Sequence, residues 1–395
     1  MTPISTGRVV GLVAAGVAVG FGSRVIGRRM VLRAERRLGP TAIPGPYHAS
    51  PRARELHQSL QVVDLHADSL LWGRDLRRRG DQGQVDIPRL IDGNVTLQVL
   101  AASTKVPRHA NLERNDDRSD DVTRLAIAGG WPPRAWRSLL ARALHLASRA
   151  RTLADGSDER FTLIRSRGEL ATYLERRRAE PRITAGLLSI EGAHAIDGDP
   201  ANVDILVAAG YRMMSLAHLS DNAFGGSAHG VGKGGLTSAG RDVLAQMARH
   251  GMIVDVAHAS VATIDDILAI ATRPVVASHT GVRGTADNNR NLSDAHLRGI
   301  AATGGLVGIG FWPAATGGDD VPSIARAIRH ATNIAGFDHV GLGSDFDGAV
   351  AQPIDATGLV QITDALLQLG FGEDQVAAVM GGNALRVLAE ALPDA

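Results

Sequence analysis

Eight short apolar segments recur along this chain, and most of them end in a polar or glycine-rich tip. They are Gln61–His66, Val95–Ala101, Ile183–Ile190, Arg212–Ala217, Met252–Ala257, Pro274–Ser278, Leu306–Phe311 and His339–Gly343. Helical patterns lie between most of them, as in Ser238–Arg249 and Val261–Ala271. Apolar strands that alternate with helices indicate parallel strands covered on both faces. Eight such units predict an α/β protein that closes into a (β/α)8 TIM barrel.

An open doubly wound sheet is the competing architecture for this pattern. Its phosphate-binding glycine loop should follow an early strand, but Ala-Asp-Ser-Leu-Leu follows Gln61–His66. The longest interruption, Thr104 to Pro181, contains an Arg-rich helical stretch around Trp136–Arg151. We interpret it as a helical insertion after strand 2 that either shapes a substrate rim or forms an oligomer contact, such as that of a homodimer.

The N-terminal segment, residues 1–38, differs from the rest of the chain. Val9–Gly22 is uncharged, and six arginines follow it. This run is short for a membrane-spanning helix, so we predict membrane association through residues 8–30, as an anchor or a surface-lying helix. A poorly ordered tail on a cytoplasmic protein is the alternative. Residues 39–52 are then predicted to be a linker, and residues 53–392 the catalytic barrel.

Composition narrows the chemistry that the chain can perform. There is no cysteine, which excludes disulfides, thiolate metal sites and cysteine nucleophiles. The net charge is +1, of which the first 38 residues contribute +6, so the body is mildly acidic. The body is therefore not predicted to bind nucleic acid. Any metal must be held by histidines and carboxylates.

The polar tips carry residue types that bind divalent metals. His66 and Asp68 are two positions apart, so on an extended segment both point to the same side. Glu191 closes one apolar run, and His258 and His279 end two successive runs. A buried carboxylate needs cationic partners, and each histidine alone is more often structural. Together these residues predict one shared cation site at the carboxyl ends of the barrel strands.

The chain resembles the membrane (renal-type) dipeptidase family of binuclear zinc peptidases within the metal-dependent hydrolases. The resemblance covers roughly residues 55–390 and is carried by eight segments in the expected order. They are DLHAD at 64–68, DIPRLIDGNV at 86–95, SIEGAH at 189–194, LAHLSDN at 216–222, DVAHAS at 255–260, ASHT at 277–280, NNRNLSD at 288–294 and GSDFDG at 343–348.

The resemblance implies two Zn²⁺ ions per chain and a function as a zinc-dependent dipeptidase. By it, His66 and Asp68 hold one ion, His258 and His279 hold the other, and Glu191 bridges them. A hydroxide held between the ions is the implied nucleophile.

The resemblance also implies the residues that contact the dipeptide substrate. His218 binds the carbonyl oxygen as it becomes negative. Asp345 lies near the free amino group and moves a proton to the leaving amine. Arg290 binds the terminal carboxylate. Asn222 either lines the pocket or satisfies a turn.

Two other functions are compatible with the same residues. A binuclear metal barrel can hydrolyse another small amide, a lactone or a phosphoester. A catalytically inactive, membrane-tethered binding protein is the third hypothesis, although such a protein would not need five convergent metal-binding groups.

The chain also departs from the family, because Phe311-Trp312-Pro313 stands where some members carry a carboxylate-binding tyrosine. Recognition of the carboxylate is therefore expected to depend more heavily on Arg290.

Overall fold

The computed structural model of the protein describes residues 26–42 and 45–394, and within them nine parallel strands form one sheet. The strands are β1 Val62–Ala67, β2 Val95–Ser103, β3 Phe161–Leu163, β4 Thr184–Glu191, β5 Tyr211–Ser215, β6 Ile253–Asp255, β7 Val275–Thr280, β8 Leu306–Ile309 and β9 Val340–Leu342. Their residues are almost all buried, which fits strands covered on both faces.

Eight of these strands close into a barrel in the order β1, β2, β4, β5, β6, β7, β8, β9. Closure occurs where β9 pairs with β1, Leu342 lying opposite Asp64. The short β3 lies outside this ring and pairs with the first half of β4, whose second half pairs with β5 along the same edge. The predicted (β/α)8 barrel is confirmed, whereas β3 was not predicted.

Helices cover the outside of the barrel. Their bounds are Pro51–Ser59, Ile87–Asp92, Asp121–Ala128, Leu139–Asp155, Arg167–Ala179, Asn202–Ala208, Ser238–Arg249, Val261–Ile270, Asp294–Ala302, Pro313–Thr316, Val321–Ala335, Leu359–Gln368, Glu373–Ala377 and Asn383–Ala391. Many begin with a side-chain cap, as where Ser260 accepts a hydrogen bond from the Thr263 amide. Serine, threonine and aspartate at strand-to-helix junctions thus set where the chain leaves the barrel rim.

The insertion between β2 and β4 is mostly helical, as predicted, and it packs against the barrel. Its longest helix, Leu139–Asp155, buries Arg142, whose guanidinium donates to the Thr104 carbonyl at 2.7 Å. Arg142 also contacts Asp120 at 2.5 Å. These contacts join the insertion to the chain directly after β2.

Residues 26–38 are helical and contact the body through Val31 and Glu35, which are buried. The close approach of this helix to the insertion depends on Gly27, because a Cβ there would lie 2.2 Å from the Ala128 carbonyl oxygen. The apolar run Val9–Gly22 lies outside the described residues. Among the residues that the structure describes, no helix combines the length and apolarity needed to cross a bilayer.

Candidate metal centre and active site

Glu191 is the last residue of β4, and the backbone turns sharply after it. Gly192 has φ +93°, a backbone conformation that residues with a Cβ rarely adopt. A Cβ at Gly192 would also meet the ring of His194 and lie 3.1 Å from the Cβ of His218. The glycine therefore allows the Glu191 carboxylate and the β5 tip that carries His218 to come together.

Three imidazoles converge on one oxygen of Glu191. Its Oε1 lies 2.9 Å from Nε2 of His258, 3.4 Å from Nε2 of His279 and 3.7 Å from Nε2 of His66. The Nε2 atoms of His258 and His279 are themselves 2.9 Å apart. Histidines from three different strand ends therefore surround a single carboxylate oxygen.

Two further carboxylates approach the same ring nitrogen of His66. Its Nε2 lies 3.4 Å from Oδ2 of Asp68 and 3.9 Å from Oδ1 of Asp345. All three residues are buried. The five predicted ligands, together with Asp345 and His218, thus form three overlapping groups, and His66 and Glu191 each belong to two of them. The groups are His66, Asp68 and Asp345; His66, Glu191 and His279; and Glu191, His218 and His258.

The charges in this cluster are those of a cation site. Burial opposes ionisation of Glu191, but the nearby imidazoles of His218, His66 and His279 lower its pKa to about 2. Burial would lower the pKa of His66, but the surrounding carboxylates outweigh it and raise the pKa to about 10. Burial and the like-charged neighbours Asp68 and Glu191 raise the pKa of Asp345 well above its usual value. The carboxylates that attract a proton here would equally attract a metal ion.

Several buried polar atoms in the cluster lack hydrogen bonds. Both ring nitrogens of His66, Oδ1 of Asp68 and Nδ1 of His258 have no partner among the described residues. Burial also lowers the pKa of His258 and His279 well below the usual value, which keeps both rings neutral. Neutral imidazoles and ionised carboxylates are the forms that coordinate metals. These residues therefore fit a metal centre.

Asp255, the last residue of β6, orients the candidate ligand His279 through the hydroxyl of Ser278. Nδ1 of His279 lies 2.9 Å from the hydroxyl of Ser278, which donates to Asp255 at 2.6 Å. Such an arrangement fixes which ring nitrogen faces the site. Asp64 is buried as well, but it accepts from Gln98 and Ser344 rather than from an imidazole.

The side chains of His218 and Arg290 border the cluster. Nε2 of His218 lies 3.2 Å from Oε2 of Glu191, and its Nδ1 lies 3.2 Å from the Lys105 carbonyl oxygen. Both ring nitrogens of His218 therefore face oxygen atoms. Arg290 donates to the backbone carbonyl of His279, and its guanidinium lies 5.6 Å from the ring centre of Trp312.

Arg290 is buried without a partner carboxylate. It is 4% exposed, and no carboxylate among the described residues lies within ion-pair distance of it. Burial lowers the pKa of Arg290 to about 10, so it stays charged near neutral pH. Burial of a cation without an anionic partner costs free energy, and an anionic group of a bound ligand would offset this cost. The site thus provides a place for a negatively charged group of a ligand.

Asn222 was predicted from the sequence either to line the pocket or to satisfy a turn, whereas His229 was not predicted at all. The amide of Asn222 donates to the Leu216 carbonyl at 2.6 Å and accepts from the Phe224 amide at 2.8 Å, so its described contacts close a turn. His229 was missed, although it is fully buried with its ring centre 5.3 Å from that of His258. A lone histidine in a glycine-rich loop gives no spacing signal, so nothing in the sequence singles it out.

The sequence is similar to a known protein family over most of its length. A model of the family described as membrane dipeptidase, peptidase family M19, matches residues 50–393. The chain belongs to this family. It is 34% identical over 371 residues to dipeptidase aclJ of Aspergillus oryzae, a match covering 87% of this chain and 81% of that protein. It is 30% identical to dipeptidase tcpJ of Claviceps purpurea, with 78% and 69% covered.

Solved structures agree with this membership. The chain matches a metallopeptidase of family M19 described as dipeptidase AC, with TM-score 0.69, 25% identity, and 85% of this chain and all of that one covered. The fold also matches that of the probable dipeptidase PvdM from Pseudomonas aeruginosa, with TM-score 0.73, 19% identity, and 88% and 100% covered. The protein is accordingly a metal-dependent dipeptidase that hydrolyses peptide bonds, which confirms the predicted enzyme class.

Proposed function

We propose that this dipeptidase uses two Zn²⁺ ions, held by His66 and Asp68 on one side, by His258 and His279 on the other, and by Glu191 between them. The convergence of three imidazoles on Oε1 of Glu191 is the observation that carries the proposal. When bound, the pair of ions supplies Lewis acidity and makes water nucleophilic near neutral pH. Histidine nitrogens and carboxylate oxygens, without thiolates, suit zinc.

The remaining polar residues would hold the two ends of a dipeptide. The unpaired guanidinium of Arg290 would bind the terminal carboxylate through two parallel hydrogen bonds. The Asp345 carboxylate would receive the free amino group and would carry a proton from the attacking water to the leaving nitrogen. His218, with both nitrogens directed at acceptors, would donate to the carbonyl oxygen as negative charge develops there. Recognition of both termini would limit the substrate to two residues.

One experiment tests the metal and the substrate together. The purified full-length protein is incubated with dipeptides that have free termini, and with N-acetylated and C-amidated forms, before and after chelation and after zinc is added back. We expect cleavage only of free dipeptides, loss of activity on chelation, recovery with zinc, and about two zinc ions per chain by mass spectrometry. One ion per chain at full activity, or equal cleavage of the blocked peptides, would contradict the proposal.

Membrane association through residues 8–30 is a second part of the proposal. In support, helix 26–38 exposes Ile26 and Met30 together with several arginines, next to the uncharged run in the sequence. An apolar and basic face of this kind suits an anionic lipid surface. Co-sedimentation of the full-length protein with anionic vesicles, but not with neutral ones, is expected. Homodimer formation remains a prediction that sedimentation in solution would test.

A further inference from the structure

Helix 26–38 contributes one buried acidic residue to the body of the protein. Glu35 is 2% exposed, whereas the arginines of this helix are exposed. Its carboxylate accepts a hydrogen bond from Nε of Arg74 and another, at 2.6 Å, from the side chain of Gln82. Burial of a single carboxylate in an otherwise basic helix requires a specific cationic partner, and Arg74 is that partner.

Arg74 connects Glu35 with the loop after β9 that carries Asp345 and Asp347, residues 344–349, which we call the acidic loop. Its Nη2 lies 2.6 Å from Oδ2 of Asp347, and its Nη1 donates to the Val85 carbonyl at 2.8 Å. The Arg74 side chain is 6% exposed and that of Asp347 is completely buried. One guanidinium therefore joins two carboxylates that are more than three hundred positions apart in the sequence.

Asp347 in turn holds both acidic tips of the candidate site. Its Oδ2 accepts from the hydroxyl of Ser69 at 2.5 Å, and Ser69 directly follows Asp68. Its backbone carbonyl accepts from the indole of Trp72 at 2.6 Å. The Asp68 amide donates to the Phe346 carbonyl at 2.9 Å. Displacement of Asp347 would therefore move the segments that carry Asp68 and Asp345.

The loop that contains these acids has a strained backbone. Asp345 and Asp347 have φ values of 62° and 60°, in the left-handed region that non-glycine residues rarely occupy. Strain of this kind persists only where surrounding contacts hold the chain in place. The hydrogen bonds to Asp347 supply such contacts. One of them comes from Arg74, and the Arg74 guanidinium is also held in place by Glu35.

We propose that helix 26–38 is a positioning element of the active site, in which Glu35 acts through Arg74 and Asp347 to hold Asp345 beside His66. Helix 26–38 would then be part of the catalytic unit. The inference rests on the proposed function only for the role of Asp345 toward the substrate amino group.

The test compares two full-length variants with the same chemical change, Glu35→Gln and Glu55→Gln. Glu55 is exposed on helix Pro51–Ser59 and makes no ion pair among the described residues. Small displacements of reacting groups can cost up to about a hundredfold in rate. We expect Glu35→Gln to lower kcat for a free dipeptide about tenfold, with KM changed less than threefold, and to speed hydrogen exchange at residues 344–349. Glu55→Gln should change neither quantity.

Two further variants separate positioning from general stability. Glu35→Asp retains the charge and is expected to restore part of kcat, and it replaces Glu35→Gln if that variant fails to fold. In the double variant with Asp347→Asn, Glu35→Gln should add less than twofold to the loss, because both changes break one chain of contacts. Equal kinetics and exchange in Glu35→Gln and Glu55→Gln, or additive losses, would overturn the inference. An inactive wild type would instead count against the proposed function, since exchange at 344–349 still reports the coupling.

Discussion

The buried guanidinium of Arg290 has no ion-pair partner among the described residues, so we propose that this residue is the one that most restricts the substrate. Lysine keeps the charge but loses the planar fork that matches a carboxylate. We therefore expect Arg290→Lys to reduce kcat/KM for a free dipeptide about 100-fold, equivalent to about 2.8 kcal/mol, mainly through KM. Steady-state kinetics on the dipeptide and on its C-terminal amide measure this effect. The amide should be affected much less, and Arg283→Lys, at a partly exposed arginine nearby, should be neutral.

Gly192 allows the Glu191 carboxylate to reach the site, so its replacement should affect stability and metal binding together. Gly192→Ala would carry the cost of its positive φ, about 1–3 kcal/mol, and also contact His194 and the Cβ of His218. Gly198→Ala is a matched control, because Gly198 has φ +84° but open space around its Cβ. Denaturant unfolding and zinc content are measured for both. If the two variants lose equal stability and retain equal zinc, the close approach has no role.

The extent to which single residues could be predicted depended on their local pattern. His66, Asp68, His258 and His279 could be singled out because each lies at the end of an apolar run or within two residues of it. Glu35 and His229 could not be singled out in this way, because Glu35 lies in a basic segment and His229 lies in a glycine-rich loop. Their burial arises from contacts with Arg74 and with the Leu112 carbonyl, which are distant in sequence, and no local spacing encodes such contacts.

At the scale of elements, the barrel strands could be predicted from the sequence. For the insertion, only its position and its helical character could be predicted. The eight barrel strands are buried on both faces, so their continuous apolar composition identifies them. β3 is three residues long, and Thr162 and Leu163 are only partly buried, so its sequence carries no comparable signal. It is defined by pairing with β4, a contact that depends on the path of the whole insertion.

The insertion helix Leu139–Asp155 contains a titratable group that should affect stability at acid pH. His145 packs on Trp131, and burial, with Arg149 and Arg134, lowers its pKa to about 4. In the unfolded chain a histidine takes up its proton near pH 6.5. Stability from the neutral ring is therefore complete above about pH 6.5 and is lost as the pH falls toward 4. Because the ring is partly exposed, the effect is discounted to about 1 kcal/mol.

Urea unfolding at pH 7.5 and pH 4.5 checks this expectation. His145→Gln should lose about 1 kcal/mol less stability between the two pH values than the wild type does. Replacement of the exposed His48 by glutamine serves as the control and should leave the pH dependence unchanged. An identical acid loss in His145→Gln and the wild type would show that the ring is accessible to protons in the folded state.

At the scale of the whole molecule, the barrel brings together residues that the sequence presents only as separate tips. Glu191 ends β4, yet its carboxylate meets side chains from the ends of β1, β5 and β7. Parallel strands of one barrel end at the same rim, so the general location could be predicted. Which atoms approach which could not be predicted, because register shifts in β1, β4 and β7 alter the side-chain positions at the rim.

The same convergence predicts that the stability of the fold depends on bound metal. Asp68, Glu191 and Asp345 place three buried carboxylates close together, and they repel one another unless cations compensate them. Ions that bind only the folded chain at a thousand times their Kd stabilise it by about 4 kcal/mol per site. We expect chelation to lower the Tm by on the order of 10 °C and added zinc to restore it. Glu191→Gln, which lacks the shared anionic ligand, should show a smaller difference between chelated and zinc-loaded protein. An unchanged Tm after complete metal removal would mean that hydrogen bonds alone hold the strand ends together.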